Sequence, residues 1–379
     1  MRGTVRKRGN GWQALVKVRD SQSGEWKQMS ATRPTKALAE QWLRATLTRF
    51  GDATSVAHDA TIGELLDAWF EVASGDWSPS TRRHTVSVID AHLRPRWGDV
   101  KVRKLRAVDI DVWMTELRKT RASSTVVRIF GVFRLALEQA VRWEWIPVNP
   151  CVNARPPKQK RASITPPSIE QLVALLEAAR DHDPDVGAFV HLAAATGARR
   201  GELCALRWSS LDLDAGTVRI AEAVVMGEGD LPVLKDTKTG NVRRIALDAG
   251  TVATLREHRA RCAERALACR ASLPDDSFVF SLDADGERPW RPDHATAQFE
   301  RVRIKAEVDG VRLHDLRHYH ATRLLTSGVD LATVAGRLGH AGGGKTTLAV
   351  YAHFLDHADR GAADVIGADL TPRRTARRR

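Results

Sequence analysis

The sequence predicts a multidomain, mainly α-helical protein with small β-sheets, and three observations lead to this fold class. The chain has 379 residues, which exceeds a single domain of about 100–200 residues. A short β-rich segment begins the chain, and a run of capped amphipathic helices follows it. A proline-rich stretch then precedes a second helix-rich region that contains two strands. We therefore expect a three-stranded sheet with one helix, an all-helical domain and an α+β domain, in that order.

The first predicted domain, residues 1–55, is a small sheet backed by a helix. Asn10-Gly11 between two β-rich runs indicates a hairpin. A third strand at 25–31 follows, and a helix from Pro34 to Phe50 completes the module. Lys and Arg on the exposed face of this sheet suit a DNA groove, although a charged face also fits a small solvated module.

The second predicted domain, residues 60–147, is entirely helical. Thr61-Ile-Gly-Glu64 is a capping box that begins its first helix. A helix beginning at Ser78-Pro-Ser-Thr81, one at 109–120 and a long one at 123–145 follow. The long helix carries an apolar stripe on one face: Val127, Phe130, Phe133, Leu137 and Val141. Residues 148–167 are rich in proline and basic side chains and form a linker.

The third predicted domain, residues 168–360, mixes helices with two strands. Ser168-Ile-Glu-Gln171 is another capping box. Two strands, at 217–225 and 242–247, flank a turn at Lys238-Thr-Gly-Asn241. Helices are predicted at 249–269, 292–307, 314–326, 330–338 and 346–358. The basic tail, 361–379, is too polar to pack and is expected to be disordered.

Composition points to a nucleic-acid partner. Lys plus Arg total 59 against 46 Asp plus Glu, a formal charge of +13 with a pI of about 10.0. Such a balance favours a polyanion, and the membrane-surface alternative lacks an amphipathic membrane-binding segment. Neither a signal peptide nor a transmembrane run is evident, so we expect a cytoplasmic protein. The four cysteines form no Cys-x-x-Cys pair, which argues against structural zinc and a disulfide framework.

One motif near the C-terminus resembles a nucleotide-binding loop. Gly339, four further residues, then Gly344-Lys345-Thr346 match the P-loop pattern. A P-loop must follow a buried strand, but the apolar residues of 330–338 recur at helical spacing. We therefore interpret the stretch as a glycine-rich turn between two helices. Its glycines suggest the hypothesis that the following helix moves, which Gly343→Pro would test.

Chemistry-bearing residues concentrate in three stretches of the third domain. The first, Ala195-Thr-Gly-Ala-Arg-Arg-Gly-Glu-Leu203, contains Arg199 and Glu202, which are spaced to form an ion pair. The arginine lies between apolar segments, where it requires an anionic partner. Two readings stay open: a structural pair with Glu202, or a site for an external anion.

The second and third stretches add imidazoles, a guanidinium and a phenol. Leu313-His-Asp-Leu-Arg-His318 places His314 and Arg317 on one helix face. His314 and His318 have the spacing of a metal pair, but no nearby carboxylate ligand accompanies them. Leu338-Gly-His340 is followed by Tyr351, one of only two tyrosines in the chain. Two guanidinium groups, imidazoles and a phenol suit a phosphodiester, because guanidinium binds phosphate oxygens in bidentate fashion and imidazole moves protons near pH 7.

The order of these motifs resembles the tyrosine recombinase family, and more narrowly the integrases of phages and integrative elements. The similarity covers about 168–358 by motif. The upstream helical segment resembles the family's core-site-binding domain, and the N-terminal sheet resembles its arm-site-binding domain, in both cases by architecture alone.

The resemblance implies a role for each matching residue. Arg199 and Arg317 match the phosphate-binding arginines, and Tyr351 matches the nucleophile. His314 matches a proton-transfer and phosphate-contacting group, and His340 matches the residue that hydrogen-bonds the scissile phosphate. Glu202 matches the acidic residue that orients the site. Lys238, with Lys235 as the alternative, matches the lysine that protonates the leaving 5′-hydroxyl. Tyr319, directly after the His-x-x-Arg box, is expected to pack in the fold.

The resemblance also implies a reaction and its partners. Tyrosine attack leaves a 3′-phosphotyrosine link that keeps the bond energy, so neither ATP nor metal is required and no cofactor is expected. The implied substrate is double-stranded DNA at attachment sites, exchanged by a homotetramer, with an accessory DNA-bending protein and an excision factor as further partners. Two rivals stay open: a catalytically idle DNA-binding protein such as a repressor, and a type IB topoisomerase, which relaxes supercoils without a defined site.

Overall fold

The computed structural model describes residues 3–19, 26–51, 59–158, 165–236 and 242–340. The chain divides into two compact units, residues 1–160 and 161–379. Several predicted features lie outside the described residues: Lys238, Tyr351, most of the glycine-rich turn, the helix at 346–358 and the basic tail. No helix among the described residues is long and apolar enough to cross a membrane.

The first unit begins with the predicted three-stranded sheet. Strands β1 (Gly3–Arg8), β2 (Gly11–Arg19) and β3 (Trp26–Arg33) are antiparallel in that order, and helix α1 (Lys36–Gly51) packs on β2. Ala14 and Val16 are buried there together with Ala39 of α1. The register pairs Arg8 with Gly11, so the two-residue turn is Gly9-Asn10, one residue earlier than predicted. Gly9 takes the left-handed φ of +59° that such a turn requires.

The rest of the first unit is helical, as predicted. Its helices are α2 (Ile62–Ala73), α3 (Pro79–Val88), α4 (Arg94–Trp97), α5 (Ala107–Leu117) and α6 (Ser123–Arg142), with a π-helical turn (Ile89–Leu93) between α3 and α4. The capping box at Thr61 is present, and Ser78 accepts a hydrogen bond from the Thr81 backbone N. Trp97, Trp113 and Phe133 form an aromatic cluster with ring centroids 5.6–6.1 Å apart. Phe133 on the predicted α6 stripe is thereby buried at the centre of this core.

The second unit contains the predicted mixture of helices and strands. Its helices are α7 (Ile169–His182), α8 (Pro184–Thr196), α9 (Arg200–Cys204), α10 (Ala249–Ala268), α11 (Pro292–Lys305), α12 (Asp315–Thr326) and α13 (Leu331–Leu338). Its strands are β4 (Leu211–Asp212), β5 (Thr217–Ile220), β6 (Glu222–Met226), β7 (Pro232–Asp236) and β8 (Arg243–Ala246). The capping box at Ser168 is present at the start of α7.

The strand predictions in this unit were wrong in two respects. The single strand expected at 217–225 is two strands: β5 lies between β4 and β8 in one sheet, and β6 pairs with β7 in another. Strands β4 and β7 were not predicted. No Gly or Pro interrupts 217–225, so the sequence alone indicates one long strand, whereas the change of sheet depends on which partners are close in space.

Helix α8 is the central support of the second unit. Its residues are almost entirely buried, and Phe189 contacts Phe280 and Trp290 with ring centroids 5.0 and 5.5 Å apart. The helix ends at Thr196, and Gly197 follows with a left-handed φ of +62°. Because the helix is fixed by its core contacts, the turn that carries Arg199 begins from a rigid point.

Candidate active site

Arg199 and Glu202 form the first part of the candidate site. Arg199 immediately precedes α9. Its backbone N and its Nη1 donate hydrogen bonds to the carboxylate of Glu202, at 2.7 and 2.9 Å respectively. The side chain of Glu202 is 3% exposed and that of Arg199 is 44% exposed. Glu202 therefore anchors the Arg199 guanidinium, while much of the Arg199 side chain stays exposed to solvent.

A second arginine, which the sequence analysis did not assign to the site, shares the same carboxylate. Arg243 on β8 donates to both oxygens of Glu202, from Nη2 at 2.6 Å and from Nη1 at 3.2 Å. Burial alone would raise the pKa of Glu202, but the hydrogen bond and charge of Arg243, followed by those of Arg199, hold it below its ordinary value. A signal for Arg243 existed in the sequence, because it shares the inward face of its strand with Ile245.

Arg317 on α12 joins two turns of the unit. Its guanidinium is buried, and it donates from Nη1 to the carbonyl of Gly197 and from Nη2 to the carbonyl of Leu338, both at 2.6 Å. Nη2 also lies 2.8 Å from Nε2 of His340. Arg317 therefore fixes the turn after α8 and the end of α13 relative to each other.

His340 follows the left-handed Gly339 that ends α13. Because the Arg317 guanidinium has only donors, Nε2 of His340 accepts the hydrogen bond, which assigns the ring proton to Nδ1. Burial, then the charges of Arg317 and Arg199, lower the pKa of His340 to about 4. The ring is neutral at pH 7, and it faces a region of excess positive charge.

His314 lies at the N-terminus of α12, where its backbone carbonyl accepts a hydrogen bond from the Arg317 backbone N at 3.1 Å. Its ring contacts that of His318 edge-on, with centroids 5.0 Å apart. Partial burial and then the charge of His318 lower the pKa of His314. In the parts of the chain that the structure describes, no group of three or more His, Cys, Asp or Glu side chains is arranged to hold a metal ion.

The structure thus brings together Arg199, Glu202, Arg317 and His340, with His314 one turn from Arg317 on the same helix. Lys238 and Tyr351 lie outside the described residues. Lys235 is half-buried on β7, in the β6–β7 hairpin. That hairpin lies directly against α9, because a Cβ on Gly201 would be 2.5 Å from the carbonyl of Val224. Tyr319 packs against the core, as expected.

Comparison with known protein families identifies the family in which this set of site residues occurs. A model described as the phage integrase family matches residues 163–357, just over half of the chain. The chain belongs to the phage integrase family. A second model, the N-terminal SAM-like domain of phage integrases, matches residues 61–118 of this integrase. The expected resemblance to tyrosine recombinases and the predicted fold class are thereby confirmed.

Individual relatives agree with this assignment over most of their length. The prophage phiRv2 integrase of Mycobacterium tuberculosis is 26% identical over 373 residues, covering 92% of this chain and 94% of that protein. The integrase of transposon Tn1549, solved in complex with a circular intermediate DNA, superposes with a TM-score of 0.68 at 17% identity, covering 81% of this chain and 99% of that one. A lambda integrase tetramer bound to a Holliday junction gives a TM-score of 0.59 at 18% identity, covering 90% and 96%.

This integrase is a site-specific tyrosine recombinase of the kind that integrates or excises a phage or mobile element. Enzymes of the family cut and rejoin DNA through a phosphotyrosine intermediate, without ATP or a metal ion. The nucleotide-binding interpretation of Gly339–Thr346 has no place in that reaction.

Proposed function

We propose that Arg199 and Arg317 bind the non-bridging oxygens of the scissile phosphate in this integrase. The observation that carries the proposal is their connection through one short segment: Arg199 Nη2 donates to the carbonyl of Gly339 at 3.3 Å, and Arg317 Nη2 donates to that of Leu338. Two planar, permanently charged groups held side by side match the charge that develops on a pentacoordinate phosphorus.

Tyr351 is the proposed nucleophile. The chain has two tyrosines, and Tyr319 packs against the core on α12. A phenol has an ordinary pKa of about 10, so the site must remove its proton. His314 is the proposed proton-transfer group, and His340 is the proposed hydrogen-bond donor to the phosphate. Donation from His340 through Nε2 requires two changes: the Arg317–His340 hydrogen bond must break, and Nε2 must carry a proton, either by transfer of the ring proton from Nδ1 or by protonation of the ring. An incoming phosphate favours both changes because it is anionic.

The proposed step conserves bonds and needs no co-reactant. The phenolate oxygen forms a bond to phosphorus while the bond from phosphorus to the 5′-oxygen breaks. The leaving oxygen takes its proton from a lysine, for which we propose Lys238, with Lys235 of β7 as the alternative. A 5′-hydroxyl from another strand then reverses the step, releasing the tyrosine and sealing the new strand.

The proposed substrate is double-stranded DNA at attachment sites, acted on in the cytoplasm by a homotetramer, with an accessory DNA-bending protein and an excision factor as further partners. The tetramer is supported by the fold shared with lambda integrase, which was solved as a tetramer on a Holliday junction. We assign residues 1–55 to arm-site binding and 60–147 to core-site binding. The remaining assignments are these: 148–167 as linker, 168–360 as the catalytic domain and 361–379 as a basic tail.

The two tyrosines offer a matched test of the nucleophile. Nicked suicide substrates, built from inverted repeats in the DNA that flanks the gene, trap any covalent adduct. Wild type and Tyr319→Phe should give an SDS-resistant protein–DNA adduct without ATP or magnesium, whereas Tyr351→Phe should bind the DNA and give none. An adduct with Tyr351→Phe moves the nucleophile elsewhere. Specific binding with no adduct from wild type indicates an idle DNA-binding protein.

The lysine and the first arginine are tested on the same substrates. A 5′-bridging sulfur leaves as a thiolate, which needs no proton because a thiol has an ordinary pKa of about 8.5. Of Lys238→Ala and Lys235→Ala, the variant whose cleavage the sulfur restores identifies the general acid, and restoration of neither rejects both. Arg199→Lys keeps the charge but loses the bidentate fork, so cleavage should fall by about 100-fold. An unchanged rate would make Arg199 a structural partner of Glu202.

A further inference from the structure

Arg243 is a buried cation whose contacts extend beyond charge neutralisation. Its side chain is 8% exposed, and it points inward from β8. Two of its nitrogens hold Glu202, and Nε donates to the carbonyl of Arg337 at 2.8 Å. A structural partner of one carboxylate would need only the first two contacts. The third contact ties the same guanidinium to the last turn of α13.

The end of α13 approaches Arg243 closely at Gly339. A Cβ at this position would lie 2.6 Å from Nη1 of Arg243, and the backbone there is left-handed with a φ of +63°. The carbonyl of Gly339 in turn accepts a hydrogen bond from Arg199. Arg199 therefore donates hydrogen bonds to two groups, the carboxylate of Glu202 and the carbonyl of Gly339. Arg243 binds the first of these groups directly and lies against the second.

The residues on either side of Gly339 contact the second phosphate-binding candidate. The carbonyl of Leu338 and the ring of His340 are both bound to Arg317. Arg199 and Arg317 are 118 residues apart in the sequence and lie on different elements. Within the described residues, the segment 337–340 contacts Arg199, Arg243 and Arg317, and Arg243 fixes that segment to Glu202.

We infer that Arg243 is a positioning residue for the scissile phosphate: by holding Glu202 and the 337–340 segment together, it sets the spacing of Arg199 relative to Arg317 and His340. The inference rests on the proposed role of those groups. In this scheme Arg243 acts on the phosphate only through the groups that it holds, since Nη1 and Nη2 donate to Glu202 and Nε donates to the carbonyl of Arg337. Its loss changes the geometry of the groups that do, and a displacement of about 1 Å in such a site costs roughly 100-fold in rate.

A neutral substrate separates positioning from a purely structural role. A methylphosphonate at the scissile position replaces one charged oxygen by a methyl group, so cleavage depends far less on guanidinium groups aligned with that charge. Single-turnover cleavage of phosphate and methylphosphonate suicide substrates should be compared for wild type, Arg243→Met and Arg199→Ala. On phosphate we expect Arg243→Met to lose about 100-fold. On methylphosphonate, its deficit relative to wild type should shrink to below about tenfold, in parallel with that of Arg199→Ala.

Arg244 provides the matched control. It is the next residue on β8, its side chain is 66% exposed, and it donates to Thr217 away from Glu202. Arg244→Met should cleave both substrates as wild type does. Arg243→Lys keeps the charge without the fork, so it should fall between wild type and Arg243→Met on phosphate.

Folding of the variants is controlled separately. Removing one partner of a buried ion pair leaves an uncompensated charge. The double variant Glu202→Gln plus Arg243→Met removes both charges, so it should restore the unfolding midpoint that Arg243→Met lowers. Its defect in cleaving the phosphate substrate should persist. An equal deficit of Arg243→Met on the two substrates, with Arg199→Ala recovering on methylphosphonate, overturns the inference and leaves the proposed function intact. Absence of an adduct from wild type, or recovery by neither variant, overturns the proposed function on which the inference depends.

Discussion

Gly339→Ala is the substitution whose effect on stability the structure predicts most sharply. Two penalties act at this position. The left-handed backbone, with a φ of +63°, costs a residue with a Cβ about 1–2 kcal/mol, and the loss of unfolded-chain entropy returns about 0.4–1 kcal/mol of this. The added Cβ would also lie 2.6 Å from Nη1 of Arg243, an overpacking that costs about 1–3 kcal/mol. We expect the free energy of unfolding to fall by roughly 1–5 kcal/mol in total.

Two other glycines separate these penalties. Gly328 is left-handed, with a φ of +81°, and a Cβ there would meet nothing within 4 Å, so Gly328→Ala measures the backbone cost alone. Gly336 lies inside α13 with open space around it, and Gly336→Ala should stabilise the protein by about 0.5–1 kcal/mol. Equilibrium urea unfolding of the full chain, followed at the transition that Gly339→Ala shifts, gives the three values. Equal losses for Gly339→Ala and Gly328→Ala would refute the contact with Arg243.

Three further predictions concern titration and thiol chemistry. Burial and then the charge of Arg337 lower the pKa of buried His320 to about 4, so the unfolded chain binds the proton more readily than the folded one. The free energy of unfolding should therefore decline as pH falls from about 6.5 to 4, by up to roughly 3 kcal/mol. In urea unfolding at pH 7 and pH 5, His320→Gln should flatten that decline. His258 has the opposite sign: burial lowers its pKa, but the hydrogen bonds and charges of Asp185 and Cys262 together outweigh burial and raise the pKa to about 9. The stabilisation from His258 is therefore complete below pH 6.5 and lost as pH rises through 9; a decline from pH 7 to 9.5 that His258→Gln leaves unchanged would contradict this. Cys269 is exposed whereas the other cysteines are buried. A thiol reagent such as DTNB should therefore label one cysteine rapidly in the native protein and all four in denaturant. Two or more rapidly labelled cysteines in the native protein would show that the buried sites open.

The helices and their caps were readable from the sequence because they depend on neighbours a few residues apart. The boxes at Thr61 and Ser168 required only a hydroxyl, a Glu or Gln three residues later and an apolar stripe. The hairpin of the first unit was readable for the same reason, although its turn is one residue earlier than the Asn-Gly pair indicates. The division of 217–225 between two sheets was not readable, because strand pairing is decided by segments distant in the sequence.

By itself the sequence determined the fold class, the order of the motifs and the choice of Arg199, Glu202, His314, Arg317 and His340 as candidates, since residue type and spacing carry that information. Only the tertiary structure decided how these groups are held. The pairing of Glu202 with Arg243, and the contacts of Arg199 and Arg317 with the 338–340 segment, join elements as many as 140 residues apart. Such contacts depend on the packing of α9, β8, α12 and α13 against one another, and no local spacing records which buried carboxylate a distant guanidinium will meet.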